Sequence, residues 1–325
     1  MVGGRIIIVN YNAGENLFRC MTALLAQSET DFEVRIVDNG STDGSLQYVP
    51  ADQRFSVIDA GGNIGFAAGC NLGAKDNTAP FLIFLNPDAF PEPGWLRALF
   101  LAATKHPDAA MFGSLQLQAA DGKIIDGAGD CYSCFGVPWR GGYDQRLAPL
   151  PEYAEAFSPC AAAAMYRTDW FRRVGGFDEA FFCYLEDVDL AFRVRLLGGR
   201  CMQVNSAVVH HVGGAISGST SGFSIYHSAR NRIWTIAKNV PGLLLCAIVA
   251  MHVVLNVYLL YWRRTASMVK PMKKGIRDGL ANLPRVRRQR AEIQAARTAS
   301  VGTIARAINW SLRALRTKAI VLRPW

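Results

Sequence analysis

The first 90 residues alternate between short apolar runs and segments whose apolar residues recur at helical spacing. Strands are predicted over residues 5–12, 32–41, 55–60 and 81–86. Helical segments are predicted over residues 16–27, 43–49 and 64–77, and the last of these opens with a glycine-rich loop. Strands that alternate with helices in this way indicate a largely parallel sheet covered on both faces.

The alternation changes after the fourth strand. The later elements are a helix over 94–106, a hairpin over 113–129 that turns at Asp121-Gly122, a helix preceded by Glu186-Asp187, and a buried strand over 207–211. The sequence therefore predicts an α/β fold with a mixed, mainly parallel sheet.

Polar residues follow three of the predicted strands directly. They are Asn10, Tyr11 and Asn12 after the first strand, Asp38, Asn39 and Ser41 after the second, and Asn86 and Asp88 after the fourth. Each of them alone would also suit a helix cap or an Asx turn. Because ligands of parallel sheets collect at the carboxyl ends of the strands, three such ends together predict a binding site.

The residues just beyond the strands narrow the ligand class. The dinucleotide pattern GxGxxG is absent from residues 10–16, which read NYNAGEN, and a phosphate loop ending in GK[ST] is absent as well. A nicotinamide enzyme or a kinase is therefore disfavoured. The carboxylate of Asp88, just past a rigid buried strand, suggests instead a divalent cation that bridges phosphates.

Two further groups of candidate residues come later in the chain. Glu186 and Asp187 precede a helix, where an acidic N-cap is the alternative interpretation, since the helix dipole favours carboxylates there. His210 and His211 close a strand, where a lone histidine is more often a core residue. Together with Asp88 and an acidic loop, His210 becomes a plausible metal ligand.

The charge of the chain is unevenly distributed. Residues 263–325 hold 16 Lys or Arg against 2 acids, a net charge of +14, whereas residues 1–262 hold 19 bases and 24 acids, a net charge of −5. An acidic body with a basic tail does not fit a nucleic-acid binder. The eight cysteines follow no apparent signal peptide and are interpreted as buried thiols of a reducing compartment. Cys131 and Cys134 form a lone CxxC, so zinc or redox chemistry is disfavoured.

Residues 243–262 are apolar and long enough for about one hydrocarbon core of roughly 30 Å. A buried core helix is the alternative, but basic residues follow at once, which favours membrane contact. Ile304, Ile308, Leu312 and Leu315 are predicted to line one face of an interfacial helix. A single spanning helix would export the basic tail, so a helix in the interface or a hairpin with both flanks cytoplasmic is preferred.

The chain resembles the inverting glycosyltransferase family 2 with the GT-A fold, and within it the rhamnosyltransferase-like bacterial enzymes. The resemblance covers roughly residues 5–240 and rests on six motifs in the same order: IVNYNAGENL, VDNGSTDGS, GNIGFAAGCNLG, FLNPDAF, RVGGFDEAFFCYLEDVDLAFRVR and VVHHVGG. It implies a catalytic domain over residues 1–240 and a membrane-associating region over residues 241–325.

The resemblance also implies roles for individual residues. The nucleotide-sugar would contact Asn10, Tyr11, Asp38, Asn63, Gly65, Asp88 and Arg230; Asp88 and His210 would bind Mg²⁺ or Mn²⁺; Asp187 would be the catalytic base with Glu186 beside it. One departure concerns Asn86, which stands where the motif more generally has Asp. An amide offers an oxygen but no charge, so the affinity for the cation is expected to be modest.

The implied reaction moves a sugar, with L-rhamnose from dTDP-rhamnose expected, to a hydroxyl of a lipid-linked or glycan acceptor. The expected location is the cytoplasmic face of a bacterial inner membrane, with the basic tail on the membrane surface and no nucleic-acid partner. The alternatives are a UDP-hexose or UDP-galactofuranose donor, a non-catalytic membrane scaffold and, least favoured, a nucleic-acid binder.

Overall fold

The computed structural model describes residues 3–213, 221–261 and 265–325. In these residues the strands are β1 (Gly4–Asn10), β2 (Phe32–Asp38), β3 (Phe55–Asp59), β4 (Phe81–Leu85), β5 (Ala89–Pro91), β6 (Ala109–Gln118), β7 (Ile125–Ala128), β8 (Asp130–Tyr132), β9 (Pro138–Arg140), β10 (Tyr153–Ala156), β11 (Ala163–Arg167) and β12 (Arg200–His211). The helices are α1 (Glu15–Leu25), α2 (Phe66–Ala74), α3 (Trp95–Lys105), α4 (Thr168–Arg173), α5 (Glu186–Leu196), α6 (Gly222–Asn239), α7 (Leu244–Tyr261), α8 (Ala266–Ala281), α9 (Leu283–Ala295), α10 (Val301–Ala307) and α11 (Leu312–Thr317).

One large mixed sheet organises the molecule. Its strand order is β10-β12-β6-β11-β4-β1-β2-β3, with β5 on β12 and β7 on β6. The strands β4, β1, β2 and β3 are parallel, as are β6 and β12, whereas β11 runs antiparallel between the two parallel groups. The predicted α/β fold with a mixed, mainly parallel sheet is confirmed.

Helices cover both faces of the sheet, because successive residues of a buried strand point to opposite sides. Ile6 and Ile8 of β1 pack with α1 and α3 in one core cluster. Ile7 and Val9 pack on the other face with α2, α4 and α5. The near-continuous apolar runs in the sequence reflect this burial on both sides.

The segment over residues 43–49 differs from the sequence prediction, and the sheet strands β10 and β11 were not predicted. The structure forms only a short 3₁₀ turn, Ser45–Tyr48, in place of a helix. Gly44 enters the turn at a φ of 73°, and Val49 leaves it in an extended conformation. Pro50 explains the ending, since proline disfavours the helical conformation of the residue before it.

The residues that follow the sheet pack back onto it. Helices α6 and α8 approach each other closely at two glycines of α8. A side-chain carbon added at Gly275 or Gly279 would lie 2.4 Å or 3.3 Å, respectively, from a carbonyl oxygen of α6. Farther on, Arg323 pairs with Glu155 of β10 through backbone hydrogen bonds of 2.8 Å and 3.0 Å. The guanidinium of Arg200 lies 4.0 Å from the ring of Trp325.

The prediction of a single interfacial helix near the end of the chain is wrong. The structure forms two short helices there, α10 and α11, separated by residues 308–311. Ile304 and Ile308 are buried in a core cluster with α5 and α6, whereas Leu312 is exposed. The apolar spacing in this segment therefore serves packing against the protein.

The apolar segment near residue 250 forms α7, the one helix in the described residues that is long and apolar enough to cross a membrane. Leu244, Ile248 and His252 form a buried stripe at intervals of four residues. His252 makes a contact of 2.8 Å with the carbonyl oxygen of Phe135. The opposite face is exposed, including 66% of Val254.

A buried lysine joins α6 to α5 and to the segment before it. The Lys238 ammonium lies 2.7 Å from an oxygen of Asp178 and 2.9 Å from an oxygen of Asp189 of α5, and its side chain is almost fully buried. Burial would raise the pKa of Asp178, but Lys238 and Arg285 outweigh it and lower that pKa to about 2. Asp178 is therefore ionised throughout the physiological range.

We predict that Lys238→Met destabilises the protein. Two buried carboxylates would lose a shared cation, a change that costs about 3 kcal/mol, at the low end of the usual range because Arg193 and Arg285 remain. Urea unfolding followed by circular dichroism measures this. Lys123→Met, at an exposed position, is the matched control. An equal midpoint for both variants would contradict the structural role of Lys238.

Candidate functional site

The ends of β1 and β2 carry the first group of predicted site residues. The amide nitrogen of Asn10 lies 2.9 Å from the Ser45 hydroxyl and 3.0 Å from the Ser41 hydroxyl. It also lies 3.4 Å from a carboxylate oxygen of Asp38. Asn10 and Asp38 are buried, and Tyr11 is half-buried next to them. The structure thus brings these three predicted residues together.

Asn39 connects this group to the glycine-rich loop. Its side-chain nitrogen donates to the side-chain oxygen of Asn63 at 3.0 Å, and its oxygen accepts from the Ile64 amide at 2.9 Å. Gly65 has a φ of 87°, and an added side-chain carbon would lie 2.5 Å from the Phe182 ring. Glycine is therefore required at this position, both for its conformation and for the close approach of Phe182.

Asp88 lies past the end of β4, as predicted, and its partner is His211. The Nε2 atom of His211 is 3.3 Å from a carboxylate oxygen of Asp88. Burial alone would raise the pKa of Asp88, but the hydrogen bond and charge of His211 lower it. Asp88 is therefore ionised in its buried position.

The prediction that His210 lies beside Asp88 is wrong. His210 instead contacts Glu92, with 3.1 Å between its Nε2 atom and the carboxylate. The two histidines are neighbours on β12, and alternate side chains of a strand point to opposite faces. A one-residue choice within the pair therefore decides which imidazole reaches Asp88.

Asp126 and Arg140 extend this group, and the sequence prediction missed both. The Nδ1 atom of His211 is 2.8 Å from a carboxylate oxygen of Asp126, which also forms an ion pair with Arg140. Burial would lower the pKa of His211, but the two carboxylates outweigh it and raise that pKa to about 9. Asp126 follows the Asp121-Gly122 turn of the predicted hairpin. This turn was the only feature of the sequence that could have pointed to Asp126.

The predicted base Asp187 lies near the start of α5, where both of its oxygens accept backbone hydrogen bonds. The Ala161 amide donates at 3.0 Å and the Val188 amide at 2.8 Å. Burial raises the pKa of Asp187, and these hydrogen bonds and the charge of Arg140 oppose the rise. Burial, and then the charge of Asp187, raise the pKa of Glu186 much further. Of the two acids, Glu186 is the one that holds a proton.

Asp130 was also missed by the sequence prediction. One oxygen each of Asp130 and Asp187 and the sulfur of Cys160 lie within 4.8 Å of one another. Burial, and then the charge of Asp187, raise the pKa of Asp130 well above its usual value. Burial likewise raises the pKa of Cys160 and keeps it a neutral thiol, which is a poor metal ligand. We interpret this cluster as a proton-holding group beside Asp187.

The loop before α5 has an unusual backbone. Phe182, Tyr184 and Leu185 all have φ values near 66°, which is strained for residues with a side chain. The buried side-chain nitrogen of Asn231 donates to the carbonyl oxygens of residues 181, 183 and 184 at 2.7–3.0 Å. This single amide therefore holds the turn that delivers Glu186 and Asp187.

The predicted role of Arg230 at the diphosphate does not match its contacts. Its guanidinium donates to the carbonyl oxygens of Phe181 and Ala180 at 2.8 Å and 3.1 Å. It also lies 4.4 Å from the Trp234 ring. Arg230 is thus engaged in holding the same loop as Asn231.

The side chains around Asp88 fit a divalent cation. Asp88 offers a carboxylate oxygen, and His211 offers its Nε2 nitrogen once that nitrogen has released its proton on metal binding; these donors suit Mn²⁺. The hydrogen bond between Asp126 and Nδ1 leaves Nε2 as the nitrogen that faces Asp88. The amide of Asn86 is 3.4 Å from the same Nε2 atom.

One known protein family matches just over half of the chain. The family described as "Glycosyl transferase family 2" matches residues 5–175. The chain belongs to glycosyl transferase family 2. It is therefore a glycosyltransferase that uses a nucleotide-sugar donor, and the resemblance noted in the sequence is confirmed.

One curated relative and two solved structures are similar to this glycosyltransferase. The N-acetylglucosaminyl-diphospho-decaprenol L-rhamnosyltransferase of Mycobacterium tuberculosis is 33% identical over 235 residues, which is 63% of this chain and 75% of that protein. The mannosyltransferase PcManGT from Pyrobaculum calidifontis, solved with GDP-Man and Mn²⁺, has a TM-score of 0.55 at 15% identity and covers 90% of this chain and 85% of its own. GalNAc-T7, solved with UDP, GalNAc and Mn²⁺, has a TM-score of 0.59 at 13% identity and covers 88% and 57%. The structural similarity supports the GT-A fold of this glycosyltransferase.

Proposed function

We propose that this glycosyltransferase inverts the anomeric centre of its donor sugar, with Asp187 as the base. The observation that carries the proposal is the geometry of Asp187, whose two oxygens are both fixed by backbone amides. Burial, and then the charge of Asp187, raise the pKa of the neighbouring Glu186 well above its usual value, so Asp187 is the acid of the pair that ionises more readily. A fixed, ionised carboxylate can accept the proton of an attacking hydroxyl. Such a base contributes typically ~10²–10⁴-fold to the rate.

The nucleotide is proposed to lie over β1, β2 and β3. Asn10, Tyr11 and Asp38 would line the base and ribose, and Asn63 and Gly65 would pass close to the ribose and diphosphate. The contacts of Asn10 with Asp38 and of Asn39 with Asn63 support this, because they hold the predicted residues at one edge of the sheet. Arg230 is reassigned as a positioning residue for the loop before α5.

A divalent cation, Mg²⁺ or Mn²⁺, is proposed to be held by Asp88 and His211. When bound, such a cation neutralises negative charge on the departing nucleotide diphosphate. Asp126 fixes the orientation of the His211 ring, and Arg140 balances the charge of Asp126. These residues prepare the position before the donor arrives.

The donor is proposed to be dTDP-rhamnose and the acceptor a lipid-linked sugar. The name of the mycobacterial relative, N-acetylglucosaminyl-diphospho-decaprenol L-rhamnosyltransferase, supports the rhamnose and the lipid-linked acceptor and does not specify the nucleotide. A UDP-hexose or UDP-galactofuranose donor is the second candidate. It is kept because identity at this level leaves room for a change of donor pocket.

We further propose that α7 lies in the plane of a membrane surface, on the cytoplasmic side. One stripe of α7 packs on the protein while Val253, Val254 and Tyr261 are more than half exposed. Helices α6 and α8, on either side of α7, pack on each other, which supports an arrangement with both flanks in one compartment. The basic helices α8 and α9 add attraction to anionic lipid, about 1 kcal/mol for each charge near the surface.

We predict that a panel of labelled donors, incubated with bacterial lipid extract and Mn²⁺, gives transfer from dTDP-rhamnose above all others. Thin-layer separation of the lipid fraction measures the product. Preferred transfer from UDP-galactofuranose or a UDP-hexose would overturn the choice of donor and leave the reaction class intact.

Asp187→Asn is the control for this assay. The amide keeps the size of the side chain but cannot accept the proton, so turnover is expected to fall at least about a hundredfold. Binding of dTDP, followed by tryptophan fluorescence, should stay within a factor of two of the parent protein. Near-normal turnover in this variant would remove Asp187 from the mechanism.

We predict that His211→Ala and His210→Ala differ in their binding of Mn²⁺. Only His211 faces Asp88, so its loss should weaken Mn²⁺ binding about 10- to 100-fold, whereas His210→Ala should leave it unchanged. Titration of free Mn²⁺ by electron paramagnetic resonance measures this without turnover. The reverse ranking would restore His210 as the ligand.

Membrane contact is tested by sedimentation with anionic and neutral lipid vesicles. Val254→Asp on the exposed face of α7 should reduce binding to anionic vesicles about tenfold, since a charge there opposes insertion. Val57→Asp, at an exposed position of β3, is the matched control. Equal binding of the two variants would separate α7 from the membrane.

A further inference from the structure

A cavity of about 370 Å³ adjoins the Asp88–His211 pair on the side away from the proposed nucleotide site. It lies between α1 and the ends of β6 and β12, and we call it the basic cavity, defined by Arg19, Gln118, Arg140, Tyr143 and Gly213. Its volume is within the range of small-molecule sites, roughly 300–1,000 Å³.

The strand order places the basic cavity on the acceptor half of the sheet. Asp88 follows β4, and the proposed nucleotide residues lie at β1 and β2 on one side of that strand. The cavity lies at β6 and β12 on the other side. Asp126 lines the cavity and contacts His211, so the cavity opens directly beside the proposed cation position.

Positive charge is in excess around the basic cavity. The Arg19 guanidinium lies 3.9 Å from the centre of the Phe90 ring and forms no ion pair within the described part of the chain. Arg140, which lines the cavity, and Lys318, which lies outside its lining, are 4.6 Å and 4.1 Å from the centre of the same Tyr143 ring. Burial, and then the nearby charge of Arg140, lower the pKa of Lys318.

The acidic residues nearby do not balance these cations. Asp126 already shares its charge with both His211 and Arg140. Asp144 is exposed, and its side chain accepts from Gln118 at 3.4 Å. Within the described residues neither Arg19 nor Lys318 forms an ion pair, and each lies close to an aromatic ring, although the charge of Asp144 partly opposes the lowering of the pKa of Lys318.

We propose that the basic cavity binds the phosphate groups of the acceptor. Guanidinium groups bind phosphate oxygens through paired hydrogen bonds, and a phosphate here would relieve the repulsion between Arg140 and Lys318. The acceptor class is thus a sugar carried on a lipid phosphate or diphosphate, held so that its hydroxyl can reach Asp187. This inference rests on the proposed glycosyltransferase reaction.

The test uses the full chain without metal and farnesyl phosphate as the probe. Removing divalent cations with a chelator prevents the probe from binding through a cation at Asp88. Farnesol, which lacks the phosphate, and octyl glucuronide, which carries a carboxylate instead, are the comparison ligands. Tryptophan fluorescence or calorimetry measures their dissociation constants.

We expect farnesyl phosphate to bind at least tenfold more tightly than the other two ligands. Arg19→Gln should weaken its binding about tenfold, because it removes a charged partner that lines the cavity. Arg97→Gln, at an exposed position of α3, is the matched control and should bind like the parent protein. Thermal unfolding of each variant verifies that it is folded.

Equal affinity for farnesol and farnesyl phosphate would overturn the proposal, as would unchanged affinity in a folded Arg19→Gln variant. Tighter binding of octyl glucuronide would assign the cavity to a carboxylated acceptor and overturn the phosphate. The donor panel tests the glycosyltransferase proposal independently of the cavity. Absence of transfer from every donor, together with tight binding of farnesyl phosphate, would therefore count against the proposed reaction and not against the phosphate site.

Discussion

The hydrogen bonds from Asn231 to the loop before α5 are the contact on which the rest of the site depends. That loop holds three strained non-glycine residues, each costing on the order of 1–3 kcal/mol, and a strained turn persists only when its surroundings fix it. Phe182 of this loop packs closely against Gly65. Glu186 and then Asp187 follow the loop in the chain. One buried amide on α6 thereby links the nucleotide loop to the proposed base.

Alternating charges bind the other half of the site together. Asp88, His211, Asp126 and Arg140 form a continuous row in which each group is next to an opposite charge. A buried carboxylate alone would take up a proton, so the row is what keeps Asp88 ionised and fit for a cation. The row ends at the basic cavity, where Arg140 and Lys318 both lie near the ring of Tyr143.

The sequence predicted the four parallel strands β1 to β4 well, because buried strands are long apolar runs and their polar ends are visible along the chain. It did not predict β10 or β11, although β11 lies in the sheet between β4 and β6. It placed Asn10, Asp38 and Asp88 at those ends, where the structure also has them. It chose the wrong histidine of the pair His210 and His211, where one residue decides direction, and it did not identify distant partners such as the loop carbonyl oxygens that Arg230 contacts. The spacing of Ile304 and Ile308 led to the wrong prediction of an interfacial helix, because apolar residues at helical spacing can pack against a membrane or against a protein surface.

The cover that α8 and α9 provide over α6 has a practical consequence for producing a soluble form of the enzyme. A chain shortened at residue 240 would keep every proposed donor and metal residue. It would also bare the buried Trp234 ring and leave its indole N–H without the Gly279 carbonyl that accepts its hydrogen bond. Solubility is therefore better sought by replacing exposed apolar residues of α7 than by cutting the chain before it.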